Sequence, residues 1–402
     1  MWQVVALVAY GIGLWVVHRI EDQGYVPRPP SRPTDWQDAA KQCGLLAAGT
    51  TQLFPRFRAR IEHFEILVET FGPGDKETRV EIKFLVAPEF VDIKIRPQRA
   101  PGDLTAGETG FDDAFTLEGP PLNLLALLDS NTRRHMRAVS AMGRLEISPG
   151  RIEAVISEGG LLSKVLPSLL EIGKRLATPI DLQRTLVENV KRDFESGARL
   201  QNLLFLIRQL PGYPGTDEAI RAASSDWSAP VRLQAAKALG FEGRDILLAL
   251  AHRLEDDAIS AEAVSALDRN LPSGEAKALL DRAADIGRPQ TALACVQVLA
   301  EEQLIQTLQH ESVDIRVAAA NVLGDKGSAA AVLPLQEAAE RFPLDRKVRH
   351  ATRQAIAEIQ SRAEGASPGQ LSLATDGGEL SLAHDPAGQL SISGDETLEP
   401  RS

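Results

Sequence analysis

The C-terminal half of the chain carries a ten-residue pattern in which apolar and small residues return at helical spacing. Residues 231–240 read Val-Arg-Leu-Gln-Ala-Ala-Lys-Ala-Leu-Gly, and residues 315–324 read Ile-Arg-Val-Ala-Ala-Ala-Asn-Val-Leu-Gly. Val231, Ala235, Ala236 and Leu239 fall on one stripe of a helix and are predicted to face inward. A second amphipathic segment precedes most of these decads, so the predicted unit is a pair of antiparallel helices. Repetition of such a unit predicts an α-solenoid.

Six such decads predict about six repeats over residues 179–362. An arginine occupies the second position of four of them, and an aspartate precedes each arginine, as follows: Asp193 and Arg199, Asp226 and Arg232, Asp314 and Arg316, Asp345 and Arg349. We expect each aspartate to cap a helix and each arginine to bridge to the acid of the adjacent repeat. We call this series of Asp–Arg bridges the arginine ladder. Ser260 and Ala292 replace the arginine in the third and fourth repeats, so the ladder is predicted to be interrupted there. The region resembles the HEAT repeat family, which implies an all-α solenoid.

Residues 35–178 change from helical spacing to strict alternation. Strands are predicted around residues 64–68, 80–86 and 91–95, and a hairpin joins 145–147 to 152–154 through a Pro-Gly turn. Helices are predicted over residues 36–46, 122–136 and 161–176. The sequence therefore predicts an α+β N-terminal domain, in which a helix packs on a mostly antiparallel sheet.

One stretch of this domain combines Gly110-Phe111-Asp112 with Arg133-Arg134-His135-Met136. It resembles an uncharacterised bacterial membrane-associated domain that is also found joined to HEAT repeats. In that family a Gly-Asp pair lies ahead of the Phe-Asp, whereas Gly110 here runs straight into Phe111, and the resemblance implies no activity. Phe111 and Phe115 are predicted to be core residues, and Asp112 and Asp113 to hydrogen-bond a turn. Arg133, Arg134 and Arg137 are predicted to form a solvated helix face, with anionic lipid head groups as the alternative ligand.

Residues 1–20 are predicted to be a membrane anchor. The run is mostly apolar and just long enough to cross a bilayer, and Arg19, Arg28 and Arg32 follow it. This charge bias predicts a single-pass protein of the bacterial inner membrane with most of the chain in the cytoplasm. The alternative is a short apolar helix packed on the next domain. Residues 21–34 are a Pro-rich linker that favours an extended chain.

Residues 363–402 form an acidic tail with three Gly-x-Leu-Ser-Leu/Ile repeats. The tail holds seven acids and one base, which places −6 of the net charge of −11 in it and predicts disorder in the free chain. Each triplet fits one short strand that could add to a partner's sheet. The alternative is a duplicated spacer. The residues predicted to bind are Leu371, Leu373, Leu380, Leu382, Leu390 and Ile392.

Composition and motifs exclude several function classes. A net charge of −11 argues against nucleic acid as a partner. The seven histidines show no metal-ligand spacing, and the chain has no phosphate loop, no nucleophile elbow and no Cys-x-x-Cys. We therefore predict no catalytic residue, cofactor site, metal site or small-molecule substrate. Cys295 replaces a small core residue of its decad and is predicted to serve packing alone.

These patterns predict a non-enzymatic scaffold or adaptor whose partners are proteins. The seventh position of the decad points away from the buried stripe and is predicted to line one solvent face of the solenoid, represented by Lys237, Gln297, Asn321 and Gln354. This row is either a partner surface or a merely solvated face. One alternative is an enzyme, a lyase or a protein-modifying enzyme, that uses the repeats to dock its substrate. A purely structural spacer is the other.

Overall fold

The computed structural model describes residues 41, 43, 56–61, 63–71, 77–85, 92–98, 104–156, 162–362, 371–373 and 380–382. The chain divides into two compact units, Met1–Ala238 and Leu239–Ser402. The first unit contains a sheet region and the first helices of the repeat region, and the second unit is helical over residues 239–362. A sheet region followed by a long all-helical part is compatible with the predicted α+β domain and solenoid.

Seven strands of the described residues form one sheet in the first compact unit. They are β1 (Arg56–Ile61), β2 (Phe64–Phe71), β3 (Glu77–Phe84), β4 (Lys94–Pro97), β5 (Phe115–Glu118), β6 (Gly143–Ser148) and β7 (Arg151–Ile156). Their order is β1-β2-β3-β7-β6-β4-β5, and every neighbouring pair is antiparallel. The antiparallel sheet is as predicted, but the sequence did not predict β1 and β5, which form its two edges.

One face of the sheet carries the core, and helices cover it. The helices are α1 (Thr109–Asp112), α2 (Pro121–Leu127), α3 (Ser130–Ser140) and α4 (Leu162–Ala177). Ile66, Ile82 and Ile152 come from alternate strand positions and are fully buried. Gly173 lets α4 approach the sheet, because a Cβ there would lie 3.3 Å from Phe64 and from Ile82.

The helix predicted over residues 122–136 is two helices. It breaks at Leu128 (φ −87°, ψ 53°), and α3 begins after Asp129. The Asp129 carboxylate accepts a hydrogen bond from the backbone N–H of Thr132 at 2.8 Å. An aspartate at the N-cap satisfies a backbone donor that a continuous helix would bond internally, so it favours a new start at this point.

The opposite sheet face is covered by ion pairs between neighbouring strands. Arg151 lies 3.0 Å from Glu81, and Arg96 lies 3.3 Å from Glu118 and 3.5 Å from Glu146. Pairs of opposite charge on adjacent strands stabilise the pairing of those strands. This face therefore resembles an ordinary solvated surface.

Four further helices of the described residues belong to the first compact unit, and the last of them ends one residue beyond it. They are α5 (Leu182–Arg192), α6 (Ser196–Gln209), α7 (Pro214–Ala223) and α8 (Ala229–Leu239). Helix α5 packs against α6 and α7, and α2 of the sheet region packs against α5. Val231, Ala235 and Ala236 are fully buried as predicted, whereas Leu239 is half-buried.

The second compact unit consists of helical hairpins. Its helices are α9 (Arg244–Arg253), α10 (Asp257–Leu267), α11 (Ser273–Asp285), α12 (Pro289–Val298), α13 (Glu301–Thr307), α14 (Val313–Lys326), α15 (Val332–Arg341) and α16 (Arg346–Arg362). Short 3₁₀ turns at Gly240–Gly243, Asp268–Asn270 and Ala329–Ala331 precede α9, α11 and α15. The second helices of successive hairpins pack on one another, α10 on α12, α12 on α14 and α14 on α16.

Two short strands of the tail are described, β8 (Leu371–Leu373) and β9 (Leu380–Leu382). They pair antiparallel with Ser372 opposite Ser381, so the first two Leu-Ser-Leu triplets pair with each other. The third triplet and the predicted anchor and linker lie outside the described residues. Among the helices that the structure describes, none is long and apolar enough to cross a membrane.

Candidate interaction site

Arg133 on α3 is the most deeply buried charge among the described residues, at 0% exposure. Its Nε donates to Glu108 Oε2 at 2.6 Å, and its Nη2 donates to Asp193 Oδ1 at 2.8 Å. Its Nη1 donates to the backbone oxygen of Leu128 at 2.6 Å and to Asp193 Oδ2 at 3.1 Å. The prediction of a solvated arginine face is therefore wrong for Arg133, because residues at the ends of α1, α2 and an adjoining helix bind its guanidinium in the interior.

Two carboxylates balance this buried charge. Burial alone would raise the pKa of Glu108, but hydrogen bonds from Arg133 and Arg137 hold that pKa below its usual value. Burial works against the charge of Arg133, yet Asp193 and Glu108 raise the pKa of the guanidinium. Removal of either partner from a buried, fully hydrogen-bonded ion pair strongly lowers the stability of the fold.

A close backbone contact lies beside this pair. A Cβ on Gly197, at the start of α6, would lie within van der Waals overlap of the Gly107 backbone oxygen, at 2.1 Å. Asp112 holds the Gly107 loop, because its carboxylate accepts from the N–H of Ala106 at 2.7 Å and of Gly107 at 2.9 Å. Burial raises the pKa of Asp112 despite these bonds. The predicted turn-bonding role of Asp112 is thus confirmed, and Phe111 and Phe115 are buried core residues as predicted.

Arg199 repeats the same arrangement one hairpin later. Its Nε and Nη2 donate to the two carboxylate oxygens of Asp226 at 2.7 and 2.9 Å. Its Nη1 donates to the backbone oxygens of Asp193 at 2.8 Å and Phe194 at 3.1 Å, six and five residues earlier. Arg232 repeats the backbone part of this arrangement, because its Nη1 donates to the backbone oxygen of Asp226, six residues earlier, at 2.6 Å. The predicted bridge from an arginine to the next repeat's aspartate is therefore present here.

We call an arginine of the ladder, together with its carboxylate and backbone acceptors, a rung. The second compact unit contains one such rung, at Arg316. Arg316 donates to the backbone oxygens of His310 and Glu311 at 2.6 and 2.8 Å, and its Nη2 lies 3.2 Å from Asp345 Oδ2. Asp345 also caps α16, accepting from the N–H of Lys347 at 3.1 Å. Asp314 was predicted to cap this repeat, but it is exposed. His310 takes that place instead, since its Nδ1 accepts from the N–H of Ser312 at 3.0 Å.

The ladder changes in the third and fourth repeats, as predicted. The Ser260 hydroxyl donates to the Leu250 backbone oxygen at 3.1 Å. Asp257 of the third repeat instead accepts from the Thr291 hydroxyl at 2.7 Å and from the Thr291 N–H at 2.8 Å. Burial opposes the charge of Asp257, but these bonds hold the pKa of Asp257 below its usual value. Hydrogen bonds from a neutral residue to the Asp257 carboxylate thus replace the arginine rung between these two repeats.

Two exposed aromatic side chains flank the Arg199 rung. Phe194 is 82% exposed and Trp227 is 74% exposed. The Arg199 guanidinium carbon lies 4.8 Å from the centre of the Trp227 ring, and Arg199 also bonds the backbone of Phe194. One buried arginine therefore supports both aromatic residues on the loops of neighbouring hairpins. We call Phe194 and Trp227 the aromatic pair.

The predicted partner-binding residues are only partly brought together. Each of the four in the polar row, Lys237, Gln297, Asn321 and Gln354, is exposed on the second helix of its hairpin. Within the tail, Leu371 pairs with Leu382 and Leu373 with Leu380, while Leu390 and Ile392 lie outside the described residues. The sequence reading missed the aromatic pair, although each aromatic residue directly follows a ladder aspartate.

Ser168 and His135 form the nearest approach to a catalytic pair in the described part of the chain. His135 Nδ1 lies 3.1 Å from the Ser168 oxygen, and burial followed by the Arg134 charge lowers the pKa of His135. A neutral imidazole beside a hydroxyl is the geometry of a base and its nucleophile. The hydroxyl is buried where α3 and α4 pack together, which favours a packing role for Ser168.

Cys295 is fully buried, and its burial raises the pKa of the thiol to about 12. A thiol in that state is inert at neutral pH, which agrees with the predicted packing role. No group of three His, Cys, Asp or Glu side chains within the described residues is placed to hold a metal ion.

Comparison with the models of known protein families gives no match to this chain, and comparison with curated proteins gives none either.

Proposed function

We propose that this protein is a non-enzymatic adaptor that binds other proteins through its helical repeats and its tail, and that residues 1–20 anchor it to a membrane. The observation that carries the proposal is the aromatic pair, in which two large side chains remain exposed on adjacent hairpins. Clustered exposed aromatic residues mark protein interaction sites far more often than single exposed apolar residues do.

The arginine ladder supports this function by fixing the surface. Arg133 and Arg199 tie three successive segments of the first compact unit together through buried, bidentate bonds. An aromatic anchor on a rigid support loses little conformational entropy when a partner binds. The Arg199 guanidinium holds the Trp227 loop in the free protein, which is the preorganisation that an interaction surface requires.

The HEAT-like solenoid, the polar row and the tail extend the proposal. Exposed polar residues at the same decad position offer hydrogen bonds to a partner, and the β8–β9 ribbon leaves strand edges that a partner strand can join. The positive charges that follow residues 1–20 favour an inner-membrane location with the repeats in the cytoplasm. Substrate docking for an enzyme and a spacer role remain the alternative functions.

Photo-crosslinking at the aromatic pair tests the function. We would place p-benzoylphenylalanine at position 227 of the full chain in its native membrane and, as the matched control, at Phe241, which is 84% exposed in the second compact unit. We expect a discrete crosslinked species from position 227 that is lost when Phe194 is also changed to Ser. A chain ending at residue 364 tests the tail in the same assay.

The outcomes separate the candidate functions. Equal crosslinking from both positions, unaffected by Phe194→Ser, would contradict an interaction site at the aromatic pair. Membrane fractionation of a chain that lacks residues 1–20 tests the anchor independently. Recovery of that shortened chain in the membrane fraction would contradict the anchoring role of the segment.

A further inference from the structure

The junction between the fourth and fifth repeats lacks both partners of the ladder, as does the junction between the third and fourth repeats, where Ser260 and Ile286 stand at the two positions. In the fourth repeat Ala292 stands where Arg199 and Arg316 stand in theirs, and in the fifth repeat His310 stands where Asp226 accepts a guanidinium. His310 keeps the backbone-capping bond of the aspartate but carries no carboxylate. Because both charges are absent together, neither leaves an unpaired partner in the interior.

A cavity of about 870 Å³ lies at this junction. Ala292 and Leu293 of α12 line one side, and His310 and Ile315 line the other. At the complete rungs the arginine donates to backbone oxygens six and five residues before it. The equivalent residues before Ala292 are Ile286 and Gly287, and Gly287 also lines the cavity. The cavity therefore occupies the position that a guanidinium fills at the Arg316 rung of the same compact unit.

Its lining is acidic. Asp281, Asp285, Glu311 and Asp314 contribute four negative charges, of which Asp281 already pairs with Lys277, and Arg288 contributes one positive charge, so the lining sums to −3 with His310 neutral and to −2 when Lys277 is included. The Nε of Arg288 is buried and has no hydrogen-bond partner in the structure. It is a donor that a peptide carbonyl could satisfy. The charge thus favours a cationic side chain, and the volume leaves room for the peptide that carries it.

We propose that this cavity, which we call the open rung, binds an arginine side chain from a protein partner. The guanidinium takes the place of the missing rung between α12 and α14, with the surrounding carboxylates as its acceptors. Arginine fits better than lysine because its planar fork can bind a carboxylate through two donors, as Arg133 and Arg199 do. This inference rests on the proposed adaptor function and names the chemistry of one partner.

Saturation-transfer NMR with the purified full chain tests the proposal. The probe is N-acetyl-arginine methylamide, and the matched ligand is N-acetyl-citrulline methylamide, which has nearly the same shape but no charge. We expect a signal from the arginine compound alone. Asp285→Asn with Glu311→Gln should reduce it to the citrulline level. Asp245→Asn with Glu255→Gln removes the same charge at exposed positions outside the cavity and should leave it unchanged.

A second variant places an arginine of the chain itself at the open rung. Ala292→Arg with His310→Asp restores both partners of the rung, so we expect it to abolish the arginine signal and raise the midpoint of thermal unfolding. Equal signals from both ligands, or an arginine signal that survives this variant, would overturn the proposal. If the variant does not fold, the surface pair Asp285 and Glu311 still decides the outcome. None of these results depends on crosslinking at Trp227, so failure here leaves the adaptor test intact.

Discussion

The Arg133 junction and the open rung differ in what lies between neighbouring helical segments. A buried arginine fills the first, and a cavity lies at the second. At the first, a fully buried guanidinium meets Asp193, Glu108 and a backbone carbonyl. At the second, alanine and histidine replace both charged partners, and a cavity remains. Removal of one partner from a buried ion pair is costly, whereas loss of both leaves only missing volume. The comparison indicates that the complete rungs serve cohesion and that the open rung is free to serve binding.

The largest expected effect comes from breaking the first junction. Arg133→Ala leaves Asp193 buried without its cation and Glu108 with Arg137 alone, which should lower the free energy of unfolding by about 3–5 kcal/mol. Urea denaturation measures this. Arg134→Ala, on the exposed side of the same helix, is the matched control and should change stability by less than about 0.5 kcal/mol. Similar losses from the two variants would show that the Arg133 bonds contribute little.

The next effect comes from the backbone contact beside that junction. Gly197→Ala places a methyl group against the Gly107 backbone, which cannot yield as a side chain could, and should cost about 1–3 kcal/mol. Gly274→Ala at the start of α11 meets nothing within 4 Å and should stabilise by about 0.4–1 kcal/mol. The two substitutions therefore have opposite expected signs in the same denaturation assay. A stabilising Gly197→Ala would contradict the close approach of the two segments.

The ladder could be predicted from the sequence where its spacing was regular. Arg199 to Asp226 and Arg316 to Asp345 follow from the recurring acid and arginine, and the interruption follows from Ser260 and Ala292. Arg133 was missed because it lies outside the decads, in a helix predicted as continuous. Asp129 four residues before it repeats the spacing of Asp345 and Arg349, and that was the available signal.

The remaining features could not be predicted because they depend on contacts between segments that are far apart in the sequence. Strand β1 alternates arginine with Phe57, Ala59 and Ile61, a pattern that resembles a charged segment until its pairing with β2 is known. The substitution of His310 for an aspartate is invisible to a search for acids, because the shared feature is an acceptor for the backbone N–H two residues later. The cavity at Ala292 depends on the alignment of two hairpins, which no local pattern contains.

The Arg133 junction should also respond to pH through Glu108. Because the pKa of Glu108 is lowered in the folded protein, its contribution is fully present above the unfolded value of about 4.3 and is lost as the pH falls through the folded value. The stability difference between the wild type and Glu108→Gln should therefore shrink as the pH falls into this range. Urea denaturation at a series of pH values measures it. A difference independent of pH would mean that the carboxylate is not held by Arg133 and Arg137.

The smallest effect concerns the junction between the third and fourth repeats, where Thr291 bonds Asp257 in place of an arginine. Thr291→Val keeps the shape of the side chain but removes the hydroxyl that donates to Asp257, while the backbone bond remains. A hydrogen bond to a charged group contributes about 1.5–3 kcal/mol, and the backbone bond that remains should keep the loss near the lower end of that range. Thr185→Val on α5, where the hydroxyl donates to an exposed backbone oxygen, is the matched control and should cost less. Because Asp257 joins two hairpins and Asp181 only caps its own helix, a larger loss at Thr291 would show that even the charge-poor junctions contribute to cohesion. Equal losses would confine cohesion in the second compact unit to hydrophobic packing and the Arg316 rung.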